Sequence, residues 1–206
     1  MPSPRFEARG MKKLVTLLLF VSLLCPALAK DTVIPAIPES AEQFVEMRNQ
    51  LATTPEGGAA CFVASLLAFS KSKDVGMQCF TIAIDQRNLI QGNVYKGYAP
   101  GGSVMYHINR ISGYNLWPYL GYAYIKGAKA SENYAVSGPL TIETYRQKNS
   151  GSDSSGRVKV FVNTDGFRAR PITLQRNDKG LWKAYEFSSL MLNVNPPAST
   201  RKTDDL

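Results

Sequence analysis

The chain holds one histidine, His107, and three cysteines, Cys25, Cys61 and Cys79. That scarcity excludes most metal chemistry, because zinc-type sites gather three or four His, Cys or carboxylate ligands at short spacings. The acids are equally dispersed: Glu143, Asp165 and Glu186 stand far apart, so paired-carboxylate hydrolysis has no evident carrier. No glycine-rich loop leads into Lys and Ser/Thr, which leaves nothing to cradle a nucleotide's phosphates. No apolar run approaches the roughly 20 residues that span a bilayer. No metal, no cofactor and no transmembrane helix in the mature chain are therefore expected.

The apolar run near the N-terminus carries an address instead. Arg5, Arg9, Lys12 and Lys13 precede a short apolar core from Leu14 to Leu24. Pro26 ends the core, and Ala27-Leu28-Ala29 places small residues where a signal peptidase would cut before Lys30. Residues 1–29 thus read as a cleavable signal peptide of bacterial type, and the mature chain as periplasmic or secreted. Met11-Lys12-Lys13 has the look of an alternative start. Cys25 would make a lipoprotein possible, but Leu24 before it and Pro26 after it disfavour lipidation.

Half of the net charge of +8 belongs to this segment together with Lys30 at the cleavage site. The basic balance is therefore no nucleic-acid footprint, and no nucleic-acid partner is expected. Residues 31–95 are mildly acidic and residues 96–190 basic. The second half reads first as a solvated basic sheet face. Its alternative use is contact with an anionic partner such as lipid headgroups or cell-wall polymer.

Residues 30–39, with Pro35 and Pro38, read as an extended arm. Ser40 with Gln43 is a capping box, and Phe44, Met47 and Leu51 recur at helical spacing, which predicts a helix from Ser40 to Ala52. Thr54-Pro55-Glu56 opens a second helix with a cap, a proline at the first position and an acid in the first turn. Its nearly unbroken apolar run from Ala59 to Phe69 predicts a central buried helix. Asp74 is expected to cap a third helix reaching Asp85; at Ser103 either a capped short helix through Arg110 or an extended Val104-Met105-Tyr106 fits equally well.

Beyond Trp117-Pro118 the period becomes two, as half-buried strands require. Strands are expected at Tyr122–Lys126, 140–145 and 157–162, with a polar, unanchored loop at 149–156. A second hairpin follows, its turn at Asn177-Asp178-Lys179-Gly180. The residues 196–206 read as a disordered tail. One α+β domain over 40–195 results, with helices at 40–86 and mainly strands at 122–188. The helices pack on one face of a curved antiparallel sheet. Cys61 and Cys79 would lie about 9 Å apart along two antiparallel helices, too far for a disulfide, so two buried free thiols are expected.

The peptides Thr53-Thr54-Pro55-Glu56-Gly57-Gly58-Ala59, Gly92-Asn93-Val94-Tyr95-Lys96-Gly97, Trp117-Pro118-Tyr119-Leu120 and Arg176-Asn177-Asp178-Lys179-Gly180-Leu181-Trp182-Lys183 carry a resemblance. The chain resembles, over residues 38–197, an exported bacterial family of unknown function. That resemblance brings no activity. The terminal hairpin is similar to the last hairpin of nuclear-transport-factor-2-like sheets, and the implied shape is of that kind or cystatin-like.

Four groups of site candidates follow. Cys61 and His107 are the single thiol–imidazole pairing available for a hydrolase, although Cys61 falls two turns inside its helix, beyond the reach of the dipole that would activate it. Gly57-Gly58 and Gly101-Gly102 could offer backbone N–H groups to an anion, or simply permit close packing. Arg157, Lys159 and Phe161 share one strand face, with Lys183 and Tyr185 on the matching face of the last hairpin. Tyr95, Tyr98, Tyr106, Tyr114, Trp117, Tyr119, Tyr122 and Tyr124 form an aromatic-dense stretch. It reads first as a seam between helices and sheet, and otherwise as the mouth of a ligand pocket.

The functional expectation is a non-enzymatic exported domain of the cell envelope that binds an envelope component, a small ligand or a protein. The alternatives are a thiol hydrolase using Cys61 and His107, and a structural subunit of an envelope assembly.

Overall fold

The computed structural model describes residues 29–200, so residues 1–28 of the expected signal peptide, and with them Cys25, lie outside the described residues. Four helices and seven strands follow in the order β1 (Lys30–Ile34), α1 (Ala41–Leu51), α2 (Pro55–Phe69), α3 (Lys73–Ala83), β2 (Leu89–Tyr95), β3 (Tyr98–Pro100), α4 (Gly102–Gly113), β4 (Leu140–Tyr145), β5 (Arg157–Thr164), β6 (Phe167–Arg176) and β7 (Trp182–Glu186).

Every residue of α2 is buried. Thr54 Oγ1 accepts a hydrogen bond from the Gly57 amide at its start, and Pro55 holds the first helical position, where no amide partner is needed. Two glycines let the chain close up there. A Cβ at Gly57 would stand 1.6 Å from the Leu51 carbonyl oxygen, and one at Gly58 would stand 2.7 Å from that of Trp182. Gly58 thus sets α2 directly on β7. At the other end, a Cβ at Gly121 would lie 2.6 Å from the Leu67 amide nitrogen.

The main sheet is antiparallel, in the order β1-β4-β5-β6-β7. Its alternation is that expected of half-buried strands: Val158, Val160 and Val162 are buried while Arg157 and Lys159 are exposed. Ile142, Ile172, Leu174, Trp182 and Ala184 complete the buried set. α1 and α3 pack on α2 and on each other. Fold class is therefore α+β, with helices on an antiparallel sheet.

Several local expectations need correction. The arm 30–39 begins as an edge strand, since β1 pairs in register with β4 from Lys30↔Thr144 to Ile34↔Leu140. Ser72, not Asp74, caps α3, its Oγ accepting from the Val75 amide; Asp74 sits in the first turn. Gly101, not Ser103, is the cap of α4, which runs on to Gly113.

Tyr122–Tyr124 is a 3-10 turn and not a strand. Gly121 touches the α2 backbone, and the chain must turn away from it. Residues 89–100, which alternate poorly, form a second two-stranded sheet. Lys96 and Gly97, both at positive φ, make its turn.

The polar loop 149–156 is anchored after all: Ser150 is buried, its Oγ accepts from the Gln147 amide, and Asp153 accepts from Arg146. Residues 196–200 of the expected disordered tail are held as well, the Ser199 amide donating to Asn133 Oδ1 at 2.7 Å. Residues 201–206 lie outside the described residues.

Candidate functional site

β7 is the last strand of the sheet, yet its outer edge is partly covered. The chain leaving α3 forms a bridge to it at Ile84↔Ala184, and the Asp85 amide donates to the Ala184 carbonyl at 2.8 Å. Asn88 Nδ2 donates to the Tyr185 carbonyl at 2.9 Å. Where this covering chain and the β6–β7 turn diverge, a cleft of about 630 Å³ opens. Its wall carries Arg87, Arg176 and Lys183, with Asp85, Asp178 and Tyr98 beside them.

The register puts the polar groups of the wall together. Arg157 pairs with Gln175, and Gln175 with Lys183, across three adjacent strands. Arg157 Nε donates to Gln175 Oε1 at 2.8 Å. The Tyr185 ring lies under two guanidiniums, with Arg157 at 4.4 Å and Arg87 at 4.9 Å from its centroid. Such cation–π contacts fix long side chains that would otherwise be mobile. Asp85 is buried, accepts from the Arg87 amide at 3.1 Å and stands 3.5 Å from Arg87 Nε. It is therefore committed to Arg87 and to the turn.

Lys183 is the chemically distinctive group. Among the described residues its ammonium makes no hydrogen bond and no ion pair. Burial, and then the Arg48 charge, push its pKa down to about 8, against the weaker pull of Cys61 and Asp85. A half-buried cation without a fixed partner, beside two more cations, can receive an oxyanion. Above its pKa it is also a free amine, a capable proton acceptor.

The other sequence candidates are not assembled into a site. Cys61 is 2% exposed, and burial pushes its thiol up to about 12, the reverse of an activated thiolate. The charges it feels are those of Lys183 and Arg48, whereas His107 feels Arg110. Cys79 is also a buried free thiol. Gly57 and Gly58 are packing glycines. Gly101 donates its amide to the Asn88 carbonyl, and Gly102 faces open space.

Of the aromatic stretch, Tyr98 borders the cleft. Trp117 stacks on Phe69 at 3.9 Å and donates Nε1 to Ser112 Oγ. Tyr119 stacks on Tyr134. Tyr124 is buried and donates its hydroxyl to the Leu190 carbonyl. Tyr95 and Tyr122 are half-buried against the core, while Tyr106 and Tyr114 stand largely exposed. The stretch is mostly seam. Phe161 stacks on Tyr145 at 5.3 Å, so the sheet face with Arg157 and Lys159 is partly self-satisfied.

Asp85, Arg87, Gln175 and Arg176 had escaped the sequence reading. Only the hairpin turn at Asn177–Gly180 hinted at where Gln175 and Arg176 would sit. Nothing local joins them to Asp85 and Arg87.

Among the described residues no helix is long and apolar enough to cross a membrane. No curated protein and no solved structure matches the chain. Neither the nuclear-transport-factor-2-like shape nor the cystatin-like one is thereby confirmed. One family does match, over residues 36–198 and hence nearly the whole described chain, and the protein belongs to it: the domain of unknown function DUF6935.

Proposed function

We propose that this protein is an exported, non-enzymatic binding domain of the cell envelope that takes a small anionic ligand in the cleft beside β7. The observation that carries this reading is Lys183, whose ammonium has no partner among the described residues and stands with Arg87 and Arg176 in one concave wall. Arg87 is pinned on Tyr185, and Gln175 is held by Arg157 from the neighbouring strand, so part of the wall is already organised before a ligand arrives. The anion is a phosphate or carboxylate compact enough for about 630 Å³. Export rests on the signal-like segment at residues 1–29.

The thiol-hydrolase alternative has less support. Its nucleophile would be a buried thiol with a raised pKa, on a different helix from an imidazole with which it shares no interaction.

Thermal unfolding of the mature chain with increasing inorganic phosphate or citrate tests the proposal. A ligand that binds only the folded state raises the melting temperature with its concentration. A saturable rise is expected at pH 7, and its loss in Lys183→Gln. No rise with either anion, or an equal rise in Lys183→Gln, overturns the reading.

A further inference from the structure

The second half of the chain is basic, and its arginines are not evenly spread. On β6, Arg168, Arg170, Ile172 and Leu174 alternate along one face of the strand. Ile172 and Leu174 are buried in the core, with Leu174 close to Gly58 of α2. Arg170 is buried under Tyr124 and the segment after β7. It donates to the Tyr124 hydroxyl at 2.9 Å, to the Leu192 carbonyl at 3.1 Å and to the Asn193 carbonyl at 2.6 Å. Arg110 reaches the same segment from α4, donating Nη2 to the Met191 carbonyl at 2.8 Å. Its Nε is buried with no hydrogen-bond partner among the described residues.

These arginines, with Arg168, line a second groove of about 630 Å³, which shares no residue with the cleft beside β7. No carboxylate lines it, and among the described residues none of the three guanidiniums makes an ion pair. The rim is apolar and exposed: Tyr114 at 62%, Phe167 at 46% and Leu192 at 43%. Phe167 directly follows the β5–β6 turn at Gly166, which has a φ of +72°. The Arg170 guanidinium lies 4.9 Å from the Phe167 ring centroid.

We propose that this groove is a contact site for the anionic phospholipid surface of a membrane. The ordering of its chemistry carries the assignment. Tyr114, Phe167 and Leu192 stand outermost with Arg168, and the Arg110 and Arg170 guanidiniums are recessed behind them, so that on docking the apolar tips reach the acyl boundary while the cations stay at the depth of the phosphates. Guanidinium forks match phosphate oxygens in pairs, and an unneutralised group of them favours an anionic surface. Phe, Tyr and Leu at the rim settle at headgroup depth without any helix crossing the membrane. An acidic peptide would satisfy the charges but would leave the ring of exposed apolar groups unexplained.

Co-sedimentation of the mature protein with vesicles decides. Vesicles of phosphatidylcholine alone are compared with vesicles containing phosphatidylglycerol, for the wild type, Phe167→Ser and Arg168→Gln. Both substituted side chains are exposed, so the fold is expected to persist, and melting curves verify it. The wild type is expected to pellet with the anionic vesicles alone, and less at high salt. Arg168→Gln should weaken binding about fivefold, the effect of one cation at an anionic surface, and Phe167→Ser should weaken it as well. Equal pelleting with neutral vesicles, no pelleting, undiminished binding by both folded variants, or complete displacement by millimolar inorganic phosphate overturns the proposal.

Discussion

Arg146 donates Nε to Glu56 Oε1 at 2.5 Å, tying the residue after β4 to the first turn of the buried helix α2. Glu56 is almost fully buried, and Lys30 at the start of β1 approaches its other oxygen at 3.4 Å. Three distant parts of the chain therefore meet on one carboxylate. The positive end of the α2 dipole adds to the same charge balance.

Glu56 sets an acid limit on stability. Burial raises its pKa, but the Arg146 hydrogen bond, its backbone bond and the charges of Arg146 and Lys30 together outweigh burial and leave it lowered. A carboxylate with a depressed folded pKa stabilises fully above its unfolded value and loses that contribution as pH falls through the folded one. Arg146→Ala leaves a buried charge without its main partner, and is expected to cost on the order of 3 kcal/mol at pH 7. Urea melts from pH 7 to pH 3 should show the wild type and Arg146→Ala converging at acid pH.

Gly57 and Gly58 hold the fold together, whereas Gly102 does not. Gly57→Ala would drive a methyl into the Leu51 carbonyl, and Gly58→Ala into that of Trp182. Neither backbone can yield easily, so each substitution should cost about 3 kcal/mol or more. Gly102→Ala meets nothing within 4 Å, and in the first turn of α4 it should stabilise by roughly 0.5–1 kcal/mol. Thermal melts of the three variants give the ranking.

Native alkylation should find both thiols protected. Burial pushes Cys61 and Cys79 up to about 12, so thiolate is scarce and access is poor. Labelling is expected to wait for denaturant and to track unfolding. Rapid modification of Cys61 in the folded protein would revive the hydrolase reading.

Lys183 should destabilise the empty protein near neutral pH. Its folded pKa of about 8 lies below the ordinary lysine value, so between pH 8 and about 10.4 the unfolded state holds more protons. Wild-type stability should therefore rise across that window. Lys183→Met is expected to be more stable at pH 7 by on the order of 2 kcal/mol, with the gap closing by pH 10.5. Anion affinity should run the other way, declining above pH 8 as the ammonium is lost.

The readable parts of the fold were those set by neighbours in sequence. Ser40 with Gln43, and Thr54-Pro55, announced two helix starts that the structure keeps. Alternation announced β4 and β5. Lys183 and Tyr185 were picked out on one face, but their partners were not. Asp85 and Arg87 come from the chain after α3, nearly a hundred residues away, and join the cleft through the Ile84↔Ala184 bridge.

Periodicity, capping and turn chemistry act over a few residues, so the sequence by itself determined the helix-then-sheet order, the buried central helix and the hairpin at Asn177–Gly180. The strand role of Lys30–Ile34, the turn at Tyr122–Tyr124 and both arginine-bearing concavities were decided only by tertiary structure. Each depends on which backbone lies against another: β1 on β4, Gly121 on α2, and the segment after β7 over Arg170. Such contacts are settled by the competition to bury apolar surface and satisfy backbone groups across the whole chain, which leaves no local pattern to read.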